Sequence, residues 1–217
     1  VMENYRRMAS ILGTDVDRMV LSYQTHTINV RTVTEADAGK GIGKERDYQD
    51  MDGLITNIPG ITLVTFYADC VPLYFVDPVH KAIGLSHSGW RGTVHRMGKA
   101  TLEAMNREYG TDPVDVVACI GPSICQDCFE VGPEVAEEFA GNFAKKYHAE
   151  LFYRKENGKY QVDLWRANQI ILNEAGIPKD QIHTTDICTR CNPEHLFSHR
   201  IMGTERGNLA AFLVLKE

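Results

Sequence analysis

No stretch of this chain approaches the roughly 20 consecutive apolar residues that a membrane-spanning helix needs. No basic run followed by an apolar one opens it: Val1-Met2-Glu3-Asn4 carries no secretory signal pattern. Long basic blocks and basic stripes interleaved with aromatics are missing too, and the formal charge is −6, so a nucleic-acid partner is not expected. Six cysteines in 217 residues are too sparse for a disulfide scaffold and fit a reducing, cytoplasmic setting. The nucleotide and serine-hydrolase signatures GxGxxG, GxxxxGK[ST] and GxSxG are absent. No His-x-His pair occurs among the eight histidines, which argues against a multinuclear copper cluster.

What is present is an ordinary soluble composition, 43% hydrophobic and 24% charged, in a chain long enough to bury a substantial core. Apolar spacing predicts a short helix over residues 4–12, stopped at Gly13, and strands over 19–23 and 28–33. Residues 34–50 are polar and glycine-rich and read as a long surface loop, a kind of segment that often carries function. Further strands are predicted over 53–56, 62–67, 73–76, 82–86, 114–120, 182–187 and 209–215. One long helix is predicted over 90–109, others over 134–143 and after the capping Asp163. Strands outnumber helices and do not alternate with them strictly. The pattern favours a mixed α/β (α+β) sandwich, a mixed sheet core flanked by helices, over a doubly wound parallel sheet.

Chemistry-bearing residues concentrate in Ala68-Asp69-Cys70-Val71-Pro72 and Ser86-His87-Ser88-Gly89-Trp90-Arg91-Gly92-Thr93. Cys70 and His87 each end an apolar strand, and pairing of those strands brings them together. His26 ends another strand. One thiolate and two imidazoles form a zinc-type donor set that leaves a fourth position open, where water coordinated to zinc loses its proton near neutrality. A buried cysteine with two structural histidines is the plain reading of the same residues. A Cys70 nucleophile with His87 as base is a third. Asp69 is either an acid/base or a turn cap. Arg91, at a predicted helix start, is a candidate anion group or a surface arginine over Trp90. Cys125/Cys128 and Cys188/Cys191 form two CxxC pairs, but the 59 residues between them lie far outside compact zinc-ribbon spacing, so a shared zinc has little support in the sequence.

Gln24-Thr25-His26, Asp52-Gly53-Leu54-Ile55-Thr56, Ala68-Asp69-Cys70-Val71-Pro72-Leu73 and His87-Ser88-Gly89-Trp90-Arg91-Gly92-Thr93 recur in one known family. So do Ile120-Gly121-Pro122-Ser123-Ile124, Phe129-Glu130-Val131-Gly132, Asp163-Leu164, Cys188-Thr189 and Phe197-Ser198-His199-Arg200. On these pieces, in this order, the chain resembles the bacterial YfiH/YlmD family, also called the multicopper polyphenol oxidase or laccase-like family. The resemblance covers nearly the whole chain. It implies one YfiH-like catalytic domain over residues 1–217, with the family's further N-terminal segment missing, and a mononuclear metal site on His26, Cys70 and His87.

The resemblance further implies a metal-dependent purine nucleoside enzyme. The activities are phosphorolysis of adenosine, inosine, guanosine and methylthioadenosine, and deamination of adenosine. Zinc is the expected metal and copper the alternative, since some members are described as copper-dependent polyphenol oxidases. Asp69, Cys70 and Arg91 are the expected catalytic residues; Ser88, Arg91 and Arg200 are expected to meet substrate. The partners expected are the nucleoside and phosphate, with the chain a monomer or homodimer. Thr27 stands where the family pattern has glycine, and Phe129 and His199 stand where it has tyrosine.

Overall fold

The computed structural model describes residues 1–216. In chain order its elements are α1 (Met2–Leu12), β1 (Met19–Leu21), β2 (Val30–Thr32), β3 (Gly53–Thr56), β4 (Thr62–Tyr67), β5 (Val71–Asp77) and β6 (Ala82–Ser88). Then come α2 (Trp90–Val94), α3 (Met97–Tyr109), β7 (Val117–Ile120), β8 (Glu130–Val131), α4 (Pro133–Asn142) and α5 (His148–Leu151). The last are β9 (Phe152–Arg154), β10 (Tyr160–Val162), α6 (Leu164–Glu174), β11 (Ile182–Thr184), α7 (His199–Met202) and β12 (Leu209–Val214).

Two sheets make the sandwich. A six-stranded mixed sheet runs β11-β7-β5-β6-β3-β2, and a three-stranded sheet runs β1-β4-β12. Period-two alternation assigns each strand's side chains to layers. On β5, Val71, Leu73 and Phe75 face α3 and α6, where they meet Leu102, Met105, Ile170 and Ile171. On β6, Ile83 and Leu85 face the other way, into the space between the sheets with Leu54, Leu63 and Tyr67. Strand β4 divides similarly: Leu63 points between the sheets and Val64 outward, under Ala9 of α1. The layers are therefore helix, three strands, six strands, helices. The small β8-β10-β9 sheet lies apart from both. No helix among the described residues is long and apolar enough to cross a membrane.

The expected mixed α/β fold is observed, with local differences. The helix expected over 90–109 is two helices, because Arg96 takes a left-handed conformation, φ 66°. Tertiary contacts hold it there: its guanidinium reaches Glu174 Oε2 (3.0 Å) and the Asn142 carbonyl (2.7 Å) and lies over the Phe143 ring. The strand expected over 114–120 starts at Val117, since Pro113–Asp115 form a 3₁₀ turn capped by Asp112.

The 34–50 loop is packed rather than loose. Tyr48 is buried with its hydroxyl on the Leu21 carbonyl (2.5 Å), and buried Asp37 accepts from Arg31 (2.7 Å) and Lys40 (2.8 Å). Burial alone would raise the Asp37 carboxyl, but Lys40 and Arg31 outweigh it and hold the group well below the usual carboxylate range. Asp77, at the β5–β6 turn, is also lowered: burial raises it, and Thr111 and His80 more than compensate. Both groups bind a proton more weakly folded than unfolded. Their stabilisation is thus complete above the unfolded carboxylate value of about 4 and drains as pH falls below it. Urea midpoints should be flat from pH 7 to about 5 and drop on further acidification, and Asp37→Asn should blunt that drop.

Candidate metal centre and its cavity

Antiparallel pairing of β5 with β6 sets Pro72 opposite His87 and Val71 opposite Ser88, so Cys70 falls beside Gly89 just past the ladder. His87 continues the Ile83–Leu85 face of β6 and emerges at the end of the space between the sheets. His26 arrives from the loop after β1. The ligand atoms of His26, Cys70 and His87 all lie within 4.8 Å of one another. The His26 and His87 rings meet edge-on at 5.0 Å between centroids.

The Gln24-Thr25-His26 motif has a role for each residue. Gln24 grips the backbone of β4 at both ends of its amide: Nε2 donates to the Phe66 carbonyl and Oε1 accepts from the Phe66 N–H, each at 2.7 Å. Thr25 donates its hydroxyl to Asp50 Oδ1 (2.7 Å). His26 sits at φ 67°, a left-handed conformation that costs a non-glycine residue about 1–2 kcal/mol.

Asp52, fully buried, holds the His26 turn in place. Its Oδ2 accepts from the Thr25 N–H (3.0 Å), the Thr27 N–H (2.9 Å) and the Thr27 hydroxyl (2.9 Å). Its Oδ1 accepts from the His26 N–H (3.1 Å) and from His87 Nδ1 (2.7 Å). An ionised carboxylate only accepts, so His87 carries its proton on Nδ1 and keeps Nε2 for a ligand. Carboxylate, histidine and metal position in series are the usual support of a metal-binding imidazole. Asp52 opens the Asp52-Gly53-Leu54-Ile55-Thr56 motif, whose pattern by itself gives the carboxylate no role. The available signal was a carboxylate immediately before the apolar strand Gly53–Thr56.

The electrostatics agree with a thiolate ligand. Burial alone would raise the Cys70 thiol, but His26 and His87 beside it bring it down to about 6. Burial alone would lower His87, but Asp52 and Cys70 raise it to about 9. The two shifts run in the directions that favour a thiolate beside an imidazolium, and a metal cation bound by these residues would supply the positive charge in place of the imidazolium proton. One thiolate and two imidazoles at this separation fit a zinc or copper ion.

Gly89 leaves room for the cluster: a larger residue there would crowd two of its side chains. A Cβ at Gly89 would lie 3.0 Å from His26 Cδ2 and 3.1 Å from Cys70 Sγ. Its φ of −68° is open to alanine, so the constraint is the site and not the backbone. Gly89→Ala should melt near the parent temperature yet bind metal about tenfold or more less tightly. Undiminished metal content at limiting metal would refute this.

The other expected site residues separate. Arg91 is exposed and stacks over the Trp90 ring, 4.3 Å from Cζ to centroid, away from the cavity beside the cluster. Ser88 does not reach that cavity either. It is fully buried on the helix-facing side of β6, its hydroxyl bonded to Thr93 Oγ1 (2.9 Å) and Asn168 Oδ1 (3.3 Å). Asp69, the expected proton carrier, sits at φ 85° with both oxygens engaged by protein: Thr189 Oγ1 at 2.6 Å and the Arg200 N–H at 2.7 Å. It fastens the bend that presents Cys70. The Arg200 guanidinium reaches the Glu130 carbonyl (2.6 Å) and lies over Phe129.

The cavity itself measures about 330 Å³, within the roughly 300–1,000 Å³ of small-molecule sites. His26, Cys70 and His87 line it together with Tyr23, Phe66, Arg46 and Arg206. Arg46 lies over the Tyr23 ring, 4.5 Å from Cζ to centroid, and donates to the Ser22 carbonyl (2.5 Å). Arg206 is held by His199 Nδ1 (3.3 Å), the Gly207 carbonyl (3.1 Å) and Asn208 Oδ1. These two arginines come from loops without a motif, and the sequence offers no sign that they converge.

Residues 1–216 match the family model described as multi-copper polyphenol oxidoreductase laccase. The chain is 34% identical over 222 residues to the purine nucleoside phosphorylase YlmD of Bacillus subtilis, covering 100% of this chain and 78% of that protein. It is 39% identical over 213 residues to the adenosine deaminase RL5 of an unknown prokaryotic organism, covering 95% and 79%. The crystal structure of Bacillus licheniformis YfiH superposes with a TM-score of 0.94 at 33% identity, covering 100% of this chain and 81% of that one. With its motifs, its sandwich and its His/Cys/His cluster in agreement, this chain belongs to the multi-copper polyphenol oxidoreductase laccase family, the YfiH/YlmD group.

Proposed function

We propose that this chain is a metal-dependent purine nucleoside enzyme. Its reactions are phosphorolysis of adenosine, inosine, guanosine and methylthioadenosine, and deamination of adenosine. The observation that carries the proposal is a single cavity joining three ligand side chains to aromatic surface and two guanidinium groups. The phosphorylase and deaminase names of YlmD and RL5 support it. Zinc suits the donor set best, and when bound it supplies Lewis-acid polarisation and brings water ionisation toward neutrality.

The chain's own residues do the rest. Tyr23 and Phe66, which line the cavity, supply aromatic surface for a purine. Arg46 and Arg206 supply positive charge and forked donors for phosphate. In phosphorolysis a phosphate oxygen bonds to ribose C1′ while the C1′–N9 bond breaks, its electron pair leaving on the purine, which then takes up a proton. In deamination, water oxygen bonds to C6 and the C6–N6 bond breaks; one water proton leaves with the amino group as ammonia and the other ends on N1. Asp52 keeps His87 oriented through both, and Asp69 keeps the Cys70 bend closed. Arg91 keeps a place in the proposal only as an outer anion group, at the start of α2.

Arg46→Ala and Arg206→Ala should each raise KM for phosphate about tenfold or more with metal content unchanged, the worth of one charge-assisted hydrogen bond. Arg91→Ala should change it less. An Arg91 effect larger than the other two would move the phosphate site to α2.

Two other readings are answered by one experiment. Copper-dependent phenol oxidation draws on the family's description, but among the described residues the only histidine-containing cluster of this kind is the three-residue one. A Cys70–His87 hydrolase would need no metal. Products from adenosine and inosine should be separated with and without phosphate, on metal-analysed protein. Free base and ribose 1-phosphate only with phosphate, and inosine from adenosine, are expected, both lost on chelation. No turnover of either nucleoside, or turnover that survives complete metal removal, would overturn the proposal.

A further inference from the structure

Strands β7 and β11 are parallel neighbours, pairing Ala118 with Ile182 and Ile120 with Thr184, so the chain leaves both at the same end of the sheet. Each exit loop carries a CxxC pair. The loops run side by side: the Ser123 N–H donates to the Ile187 carbonyl (3.1 Å), and the Thr189 N–H donates to the Ser123 carbonyl (3.2 Å). This pairing brings together four thiols that are far apart in the sequence. The sulfurs of Cys125, Cys128, Cys188 and Cys191 all lie within 4.8 Å of one another, and none is disulfide-bonded.

We propose that Cys125, Cys128, Cys188 and Cys191 hold a structural zinc ion that staples the β7 and β11 exit loops together, a second metal site distinct from the His26–Cys70–His87 centre. Three features support it. Sulfurs around a tetrahedral zinc at about 2.3 Å sit about 3.8 Å apart, and the observed cluster is already near that size. Donors are aimed at the sulfurs as they are around metal-bound thiolates: the Cys125 N–H points at Cys188 Sγ (3.3 Å), and Arg190 Nη1 points at Cys128 Sγ (3.2 Å). Four thiolates around one zinc would carry two net negative charges, of which the Arg190 guanidinium offsets one. Finally, the loop backbone is fixed behind the cage, where Asn192 Nδ2 donates to the Cys188 carbonyl (2.8 Å).

The staple reaches toward the catalytic cavity. Thr189, next to Cys188, donates to Asp69 Oδ1, and the Ile124 N–H, next to Cys125, donates to the Asp69 carbonyl (3.0 Å). Both stapled loops thus grip the residue before Cys70. No member of the cage takes part in the chemistry proposed for the cavity.

Zinc per chain, measured on full-length protein purified under reducing conditions, tests the site. Two zinc ions are expected in the parent, one in His26→Ala/His87→Ala, and one in Cys188→Ser/Cys191→Ser. Zero zinc in His26→Ala/His87→Ala overturns the four-cysteine site and leaves the proposed function standing. One zinc in the parent that survives His26→Ala/His87→Ala is the opposite result: it supports the staple and removes the metal from the proposed function. If the cysteine variant does not fold, cobalt loaded into His26→Ala/His87→Ala answers instead. Thiolate-to-cobalt charge-transfer absorption is expected, and its absence overturns the site. Six free thiols should titrate in metal-stripped, denatured protein; two or four fewer would show disulfides in place of the staple.

Discussion

Asp52→Ala is expected to strip the centre of metal and to unfasten the turn that carries His26. The variant loses the partner of His87 Nδ1 and the acceptor for the Thr25, His26 and Thr27 N–H groups in one step. Loss of the carboxylate behind a ligating histidine typically costs 10–100-fold in metal affinity. Here the second histidine is displaced as well, so the upper end of that range, about 100-fold, is expected, and nucleoside turnover should fall at least in proportion. Each backbone donor left buried without an acceptor costs about 1–3 kcal/mol, so alanine should also lower the melting temperature.

Asp52→Asn separates the two effects. It fills the same space but offers one acceptor oxygen and one amide donor. Whichever way the amide turns, an N–H faces either His87 Nδ1–H and the His26 N–H or the Thr25 and Thr27 N–H groups. Its stability should lie between parent and alanine, while its metal affinity should stay close to that of alanine. Parent-like metal affinity in Asp52→Asn would show that the carboxylate serves the fold alone. The measurement is a metal-buffered titration beside a thermal melt.

The three candidate ligands were legible because strand patterning places His26, Cys70 and His87 each at a strand end, and the family's motifs contain the same three residues. The fold was legible for the same reason: buried strands announce themselves through apolar, β-branched runs, and the β5–β6 ladder follows from the Asp77-Pro78 turn. Ser88 was misplaced although period two was enough to place it. If His87 looks into the cavity, its strand neighbour looks at the helices. Arg96 breaks the long helix although it is itself neither glycine nor proline, since its left-handed backbone depends on Glu174 and Asn142 from elsewhere in the fold. The 59 residues between the two CxxC pairs hide their proximity, because parallel neighbouring strands bring together loops at any separation along the chain. Arg46 and Arg206 were invisible for a related reason. A cavity wall built from two unrelated loops leaves no spacing to read.

Cys70 decides between a metal ligand and a covalent nucleophile, and two substitutions at it distinguish them better than one. Cys70→Ala should lose the centre's metal and lower kcat/KM on the order of a thousandfold or more, the several kcal/mol that Lewis-acid assistance contributes. A missing nucleophile would also be inactive, so alanine alone settles nothing. Cys70→Asp restores an anionic ligand of similar reach, and carboxylates bind zinc alongside histidine. Space around the sulfur is limited, since a Cβ on Gly89 would come within 3.1 Å of it, and burial penalises a carboxylate as it does a thiolate. Recovery should therefore be partial: metal content above that of alanine, and turnover that rises with added zinc. A nucleophilic cysteine makes different predictions. Its parent enzyme would keep full activity in chelator, and Cys70→Asp would stay dead at every zinc concentration. The zinc-dependent arm of that comparison is the informative one, because only a ligand can be replaced by another ligand.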